Sequence, residues 1–134
     1  MKVTIYFAGA PSGYTGGGGN VEAYLNGDLV GWIGCGGKLK LKDVSEGENT
    51  IELADEDMKR RIRFTASQNV KIWINFVCIP FQLLVKGEDI KILENVIIKK
   101  RRGEEEITEG PPLDGKPEEE PEEVLWESFK NKYI

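Results

Sequence analysis

Histidine is absent from this 134-residue chain. Its absence removes the commonest general base, the usual Ser and Cys triads, and the commonest metal ligand. Catalysis would have to rest on carboxylates, Lys, Tyr or Cys alone. The expectation is a non-enzymatic protein with no catalytic residues, no cofactor and no metal site. Cysteine is nearly absent too, with two in the chain, Cys35 and Cys78. They form no CxxC pair, and two thiols do not complete a structural zinc site. Cys35 lies among glycines in GWIGCGGK and Cys78 in the apolar run WINFVCIP. Both read as reduced thiols in a cytoplasmic protein, Cys78 as a small buried hydrophobe. Long apolar runs are also missing. VKIWINFVCIPFQLLV spans 16 residues and holds Lys71, Asn75, Pro80 and Gln82. A membrane helix needs about 20 apolar residues, so the run reads as two buried strands joined at Ile79-Pro80, and no membrane partner is expected. MKVTIYFAG carries too short an apolar stretch for a secretory leader.

What is present is a chain long enough for one domain and a tail. The hydrophobic fraction of 40% supports a core. Charge divides unevenly. Residues 1–102 hold 15 Lys and Arg against 12 Asp and Glu, whereas residues 103–134 hold 3 against 11. A mildly basic body therefore carries a strongly acidic tail. Plentiful Glu and Lys with little Gln lean toward a thermophilic source.

Period-two alternation runs through most of residues 1–100. VTIYF places Val3, Ile5 and Phe7 on one face, and VEAYL places Val21, Ala23 and Leu25 inward. Asn26-Gly27-Asp28 is a hairpin signal before LVGWI. KLKLKDV buries Leu39 and Leu41 and turns Lys38, Lys40 and Lys42 out; NTIEL buries Ile51 and Leu53. RIRFTA buries Ile62 and Phe64, and NVKIWINFVC aligns Val70, Ile72, Ile74 and Phe76. FQLLV and IKILENVIIKK read as a final hairpin across Lys86-Gly87-Glu88-Asp89. The expectation is an all-β domain over residues 1–100, an antiparallel β-sandwich or small barrel of about 8–9 short strands. AGAPSGYTGGGGN, with six of the sixteen glycines, reads as a mobile loop. Residues 101–123 are rich in Glu and Pro and read as a disordered acidic linker. Residues 124–134 read as a short amphipathic C-terminal helix.

The stretch Val21–Ala54 has a further cadence: a strand, the Asn26-Gly27 turn, Gly31 after Val30, then Gly47-Glu48-Asn49-Thr50-Ile51 at the next turn. It resembles the PEGA-type modules, small β-sandwich repeats of prokaryotic proteins. Asn49 stands where that pattern usually has His, and no PxG precedes it. The resemblance implies an accessory or binding sandwich and carries no catalytic residues across.

Glycine-rich GWIGCGGK ends in a Lys, but a phosphate loop needs GxxxxGK[ST] opening a helix. Lys38 leads instead into Leu39 and strand alternation, so a glycine-rich β-turn is the reading. Cys35 has only Lys38 and Lys40 nearby to activate it. Glu52, Asp55, Glu56 and Asp57 form a solvated acidic run without the EF-hand spacing. The basic residues fall into two clusters: Lys59, Arg60, Arg61 and Arg63, and Lys99, Lys100, Arg101 and Arg102. With exposed aromatics such as Trp32, Trp73 or Tyr24, these clusters carry an alternative function, a nucleic-acid-binding β-domain tuned by the acidic tail. Against it stand the overall acidic balance and the use of Lys to protect sheet edges.

The tail closes on EEVLWESFKNKYI. On a helix Leu125, Phe129 and Tyr133 share one face, with Trp126 beside them and Ile134 at the end. A helix of about ten residues is marginal alone and needs a surface. That surface belongs to this chain's own body, to another protein or to a second copy. The 21 residues from Gly103 to Glu123 exceed what closing a core requires. The function expected from sequence is a protein-interaction module presenting Leu125, Trp126, Phe129, Tyr133 and Ile134 on an acidic leash.

Overall fold

In a computed structural model the described residues are 1–7, 21–34, 37–55, 58–75 and 82–113. They form ten strands: β1 (Val3–Phe7), β2 (Val21–Leu25), β3 (Asp28–Ile33), β4 (Lys38–Leu41), β5 (Gly47–Ala54), β6 (Met58–Ala66), β7 (Val70–Asn75), β8 (Gln82–Lys86), β9 (Lys91–Arg101) and β10 (Glu104–Glu109). Two open sheets result, a four-stranded one in the order β4-β1-β7-β8 and a six-stranded one in the order β10-β9-β6-β5-β2-β3. Neither closes into a barrel. Every pairing is antiparallel except β1 with β7, which is parallel. Among the described residues no helix is long and apolar enough to cross a membrane.

The alternation found in sequence places the core. Val3, Ile5 and Phe7 of β1 and Val70, Ile72 and Ile74 of β7 meet Ala23, Ile51, Leu53, Ile62 and Phe64 of the larger sheet in one buried cluster. Ile62 and Phe64 are essentially without solvent contact. Burial of each such side chain contributes about 1.5–3 kcal/mol. The Asn-Gly hairpin forms as expected between β2 and β3, with Asn26 at φ 51° and Gly27 at φ 90°. Successive positive φ values fit the right-handed twist of the flanking strands. The Asn26 side chain also ties this turn to the next one: its Oδ1 accepts from the Thr50 backbone N–H at 2.8 Å, and its Nδ2 donates to Asn49 Oδ1 at 2.9 Å. Asn49, 2% exposed, passes the link on by donating to the Ser45 carbonyl at 2.8 Å.

Three expectations change. Among the described residues the strands number ten, because strand pairing runs beyond residue 100. GEEEITE, assigned to the linker, holds strand β10, which pairs with β9 through a tight turn at Arg102 and Gly103. Composition suggested disorder because β10 has little to bury; its order comes from a ladder that sets Glu104, Glu105 and Glu106 opposite Arg101, Lys100 and Lys99. The expected hairpin of FQLLV with IKILENVIIKK does not exist either. Strand β8 pairs with β7, whereas β9 pairs with β6 and β10, so Gly87–Ile90 crosses between sheets. Asp89 anchors that crossing. Its carboxylate accepts from the Ser67 hydroxyl and backbone N–H and from the Gln68 N–H, fastening it to the β6–β7 turn. The expected loop at residues 8–20, the thiols of Cys35 and Cys78, and the expected C-terminal helix lie outside the described residues.

Candidate functional site

The two basic clusters do come together, because β6 and β9 are neighbours with Met58 opposite Lys99. They do not present a uniform positive face. Arg60 points inward and is fully buried. Its guanidinium donates to Asn95 Oδ1, and burial pushes its pKa down to about 10. Asn95 in turn donates to the Pro111 carbonyl at 2.8 Å, and its own carbonyl accepts from the Gly110 N–H at 3.0 Å. Arg60 thus belongs to a packed node under the segment that follows β10, out of reach of a phosphate. Arg61 is bridged to Glu52 at 2.9 Å and Arg63 to Glu48 at 3.5 Å. The ammonium of Lys59 lies 5.8 Å from the centre of the Tyr24 ring. Lys99, Lys100 and Arg101 are in register with three glutamates of β10, and Arg102 sits in the turn itself. A polyanion would have to compete with these acids at Arg61 and Arg63 and along the β9–β10 ladder.

The acidic run also has local roles. Asp55 Oδ1 accepts from the Met58 N–H at 3.0 Å, shaping the β5–β6 turn. Among the described residues no group of three His, Cys, Asp or Glu is placed to hold a metal ion.

The aromatics separate into two settings that sequence did not distinguish. Trp73 was expected to be exposed; it is buried, stacked on Tyr6 with ring centroids 5.2 Å apart and planes at 14°. Trp32 is 60% exposed and stands on β3, the edge of the six-stranded sheet. Leu29, also on β3, is 43% exposed. Three residues apart, these two would normally face opposite sides of a strand. A register shift corrects this: Leu29 pairs with Tyr24 and Gly31 with Ala23, leaving Val30 as the extra residue of a bulge. Leu29 and Trp32 therefore share the outer face with Tyr24 and Glu22. Tyr24 donates its hydroxyl to Glu22 at 2.8 Å, which pushes the phenol pKa up.

The edges of the two sheets differ in chemistry. β4 carries Lys38 and Lys40, and β10 carries Glu104, Glu105, Glu106 and Glu109. β8 ends in Lys86, and its Val85 N–H is taken by the Leu113 carbonyl at 2.9 Å. β3 has one charge, Asp28, at its turn end. Sequence raised Lys as edge protection but did not single out β3, because an edge is defined by pairing and LVGWI reads like any other strand. Of the five residues expected to contact a partner, Leu125, Trp126, Phe129, Tyr133 and Ile134, all lie outside the described residues. Comparison with family models, curated proteins and solved structures finds no match to this chain.

Proposed function

We propose that this protein is a non-enzymatic protein-interaction module that receives an extended apolar segment of a partner along β3. The observation that carries this reading is the edge itself: among the described residues no strand pairs with the outer side of β3, and Trp32 and Leu29, 60% and 43% exposed, stand on it with one terminal charge. Soluble proteins normally blunt sheet edges with Lys, Glu or cover, as the other three edges here do. An edge left apolar offers main-chain hydrogen bonds for affinity and side-chain contacts for specificity, the mode in which a peptide adds a strand. An exposed indole is the side-chain type that most often anchors such contacts.

The nucleic-acid alternative has less support from this geometry, since Arg60 is buried, Arg61 and Arg63 are bridged, and Lys99, Lys100 and Arg101 stand opposite glutamates in the β9–β10 register. The test is to pan a random peptide library against the full chain and map enriched peptides by hydrogen exchange. Protection of the β3 amides, lost in Trp32→Glu, supports the reading. Enriched peptides that leave β3 unprotected refute it.

A further inference from the structure

We infer that the outer face of the four-stranded sheet is the seat of this chain's own C-terminal segment, residues 124–134. On that sheet the core-facing residues are Ile5 and Phe7, Ile72 and Ile74, and Leu83. Their strand neighbours therefore point the other way. Tyr6 pairs with Trp73, and Trp73 with Leu84, so three apolar side chains form one row across β1, β7 and β8 on the outer face. An outer row of a sheet is normally wet. Here Tyr6, Trp73 and Leu84 are 4%, 4% and 6% exposed, and they form a cluster of their own, separate from the main core. The Trp73 indole nitrogen is buried without a hydrogen-bond partner. Three side chains stacked in a row do not bury one another to this degree; a further apolar layer has to lie on them.

Three observations choose the layer. The first is where the described chain ends. The Leu113 carbonyl accepts from the Val85 N–H, so the chain leaves the body at the edge of β8, one residue from Leu84. The second is reach. Ten residues separate Leu113 from Val124. Extended, they span about 33 Å, whereas four strands spaced about 4.8 Å apart are about 14 Å across. The third is chemistry. The same outer face carries Lys38 beside Tyr6, and a second row of Lys40, Thr4, Lys71 and Lys86. An aromatic strip flanked by four lysines matches a segment in which Glu118, Glu119, Glu120, Glu122 and Glu123 lead into Leu125, Trp126 and Phe129. Gly-rich residues 8–20 have little apolar surface to offer.

The inference takes Leu125, Trp126 and Phe129 as internal anchors and does not depend on the β3 reading. The experiment is NMR on the full chain, comparing wild type with the tail variant Trp126→Ser/Phe129→Ser, which leaves every strand intact. In wild type, order parameters for residues 125–134 should match the strands, at about 0.85, and NOEs should connect Trp126 and Phe129 to Tyr6, Trp73 or Leu84. In the variant the tail should fall below about 0.6, and the Tyr6, Trp73 and Leu84 resonances should move while Trp32 stays in place. A mobile wild-type tail, or a variant that leaves the three resonances unmoved, overturns the inference. So does a mixed-label sample in which the NOEs run between molecules, which would assign the seat to a second copy. None of these outcomes touches peptide protection at β3, so the two readings fail separately.

Discussion

Replacing Asn26 by Ala strikes the link between the β2–β3 and β4–β5 turns, and its cost follows from three terms. Asn26 sits at φ 51°, where a side chain other than Gly, Asn or Asp is strained; placing Ala there costs about 1 kcal/mol. The Thr50 N–H loses its acceptor but stays within reach of water, a loss of about 0.5–1.5 kcal/mol. Asn49 Oδ1, on a side chain 2% exposed, loses the Asn26 amide that satisfies it. A buried acceptor left unpaired costs about 1–3 kcal/mol. Together these predict a loss of about 2.5–5.5 kcal/mol in Asn26→Ala, a large share of the roughly 5–15 kcal/mol of a typical domain. Asn26→Gly removes the backbone strain but not the lost hydrogen bonds, and should be milder by about 1 kcal/mol. Urea unfolding followed by tryptophan fluorescence measures both, with an unchanged slope showing that stability alone has moved. A loss under about 1 kcal/mol in Asn26→Ala would refute the reasoning, because Asn49 would then be satisfied without its partner. Equal losses in the Ala and Gly variants would refute the backbone term.

The Asp89 carboxyl is held below its ordinary value of 3.8, chiefly by the Ser67 hydroxyl and then by the Ser67 and Gln68 backbone N–H groups. Its stabilisation is therefore complete above that value and is lost as the pH falls through the lower folded one; Asp89→Asn should flatten the part of the acid limb of stability that lies below the ordinary value and leave the limb above it unchanged. At Gly110 an added Cβ would stand 2.5 Å from Asn95 Oδ1 and 2.8 Å from Arg60 Nη2. Gly110→Ala should destabilise by about 1–3 kcal/mol in chemical denaturation, and a wild-type midpoint would show that the node yields freely. Replacing Glu104, Glu105 and Glu106 by Gln should uncover Lys99, Lys100 and Arg101. Heparin-column retention, weak in wild type, should rise in this variant and fall steeply with salt; unchanged retention would show that β10 does not mask them.

How far sequence reached follows from what alternation encodes. Period two names the face of each residue within its strand, and at Val3, Ile5, Ile62, Phe64, Val70 and Ile72 that was enough to place the core. Turn chemistry is equally local, so Asn26-Gly27 was legible. Pairing is not local. Nothing within FQLLV or IKILENVIIKK states that one belongs to each sheet, and the Asp89 contacts that fix the crossing come from Ser67 and Gln68, 22 and 21 residues away. The same limit hid both candidate surfaces. Tyr6 and Trp73 are each a lone outward aromatic in its own strand, 67 positions apart in sequence. They become one apolar strip only because β1 and β7 lie side by side in parallel. Trp32 and Leu29 share a face only through a bulge that no residue pattern announces. The inferred seat for the apolar end of the acidic tail rests on that first strip. A sheet of four strands covered on one side by a six-stranded neighbour still has a second side. Where three residues of that side are apolar and dry, a further apolar layer has to lie over them, and the proposal assigns that layer to the chain's own tail.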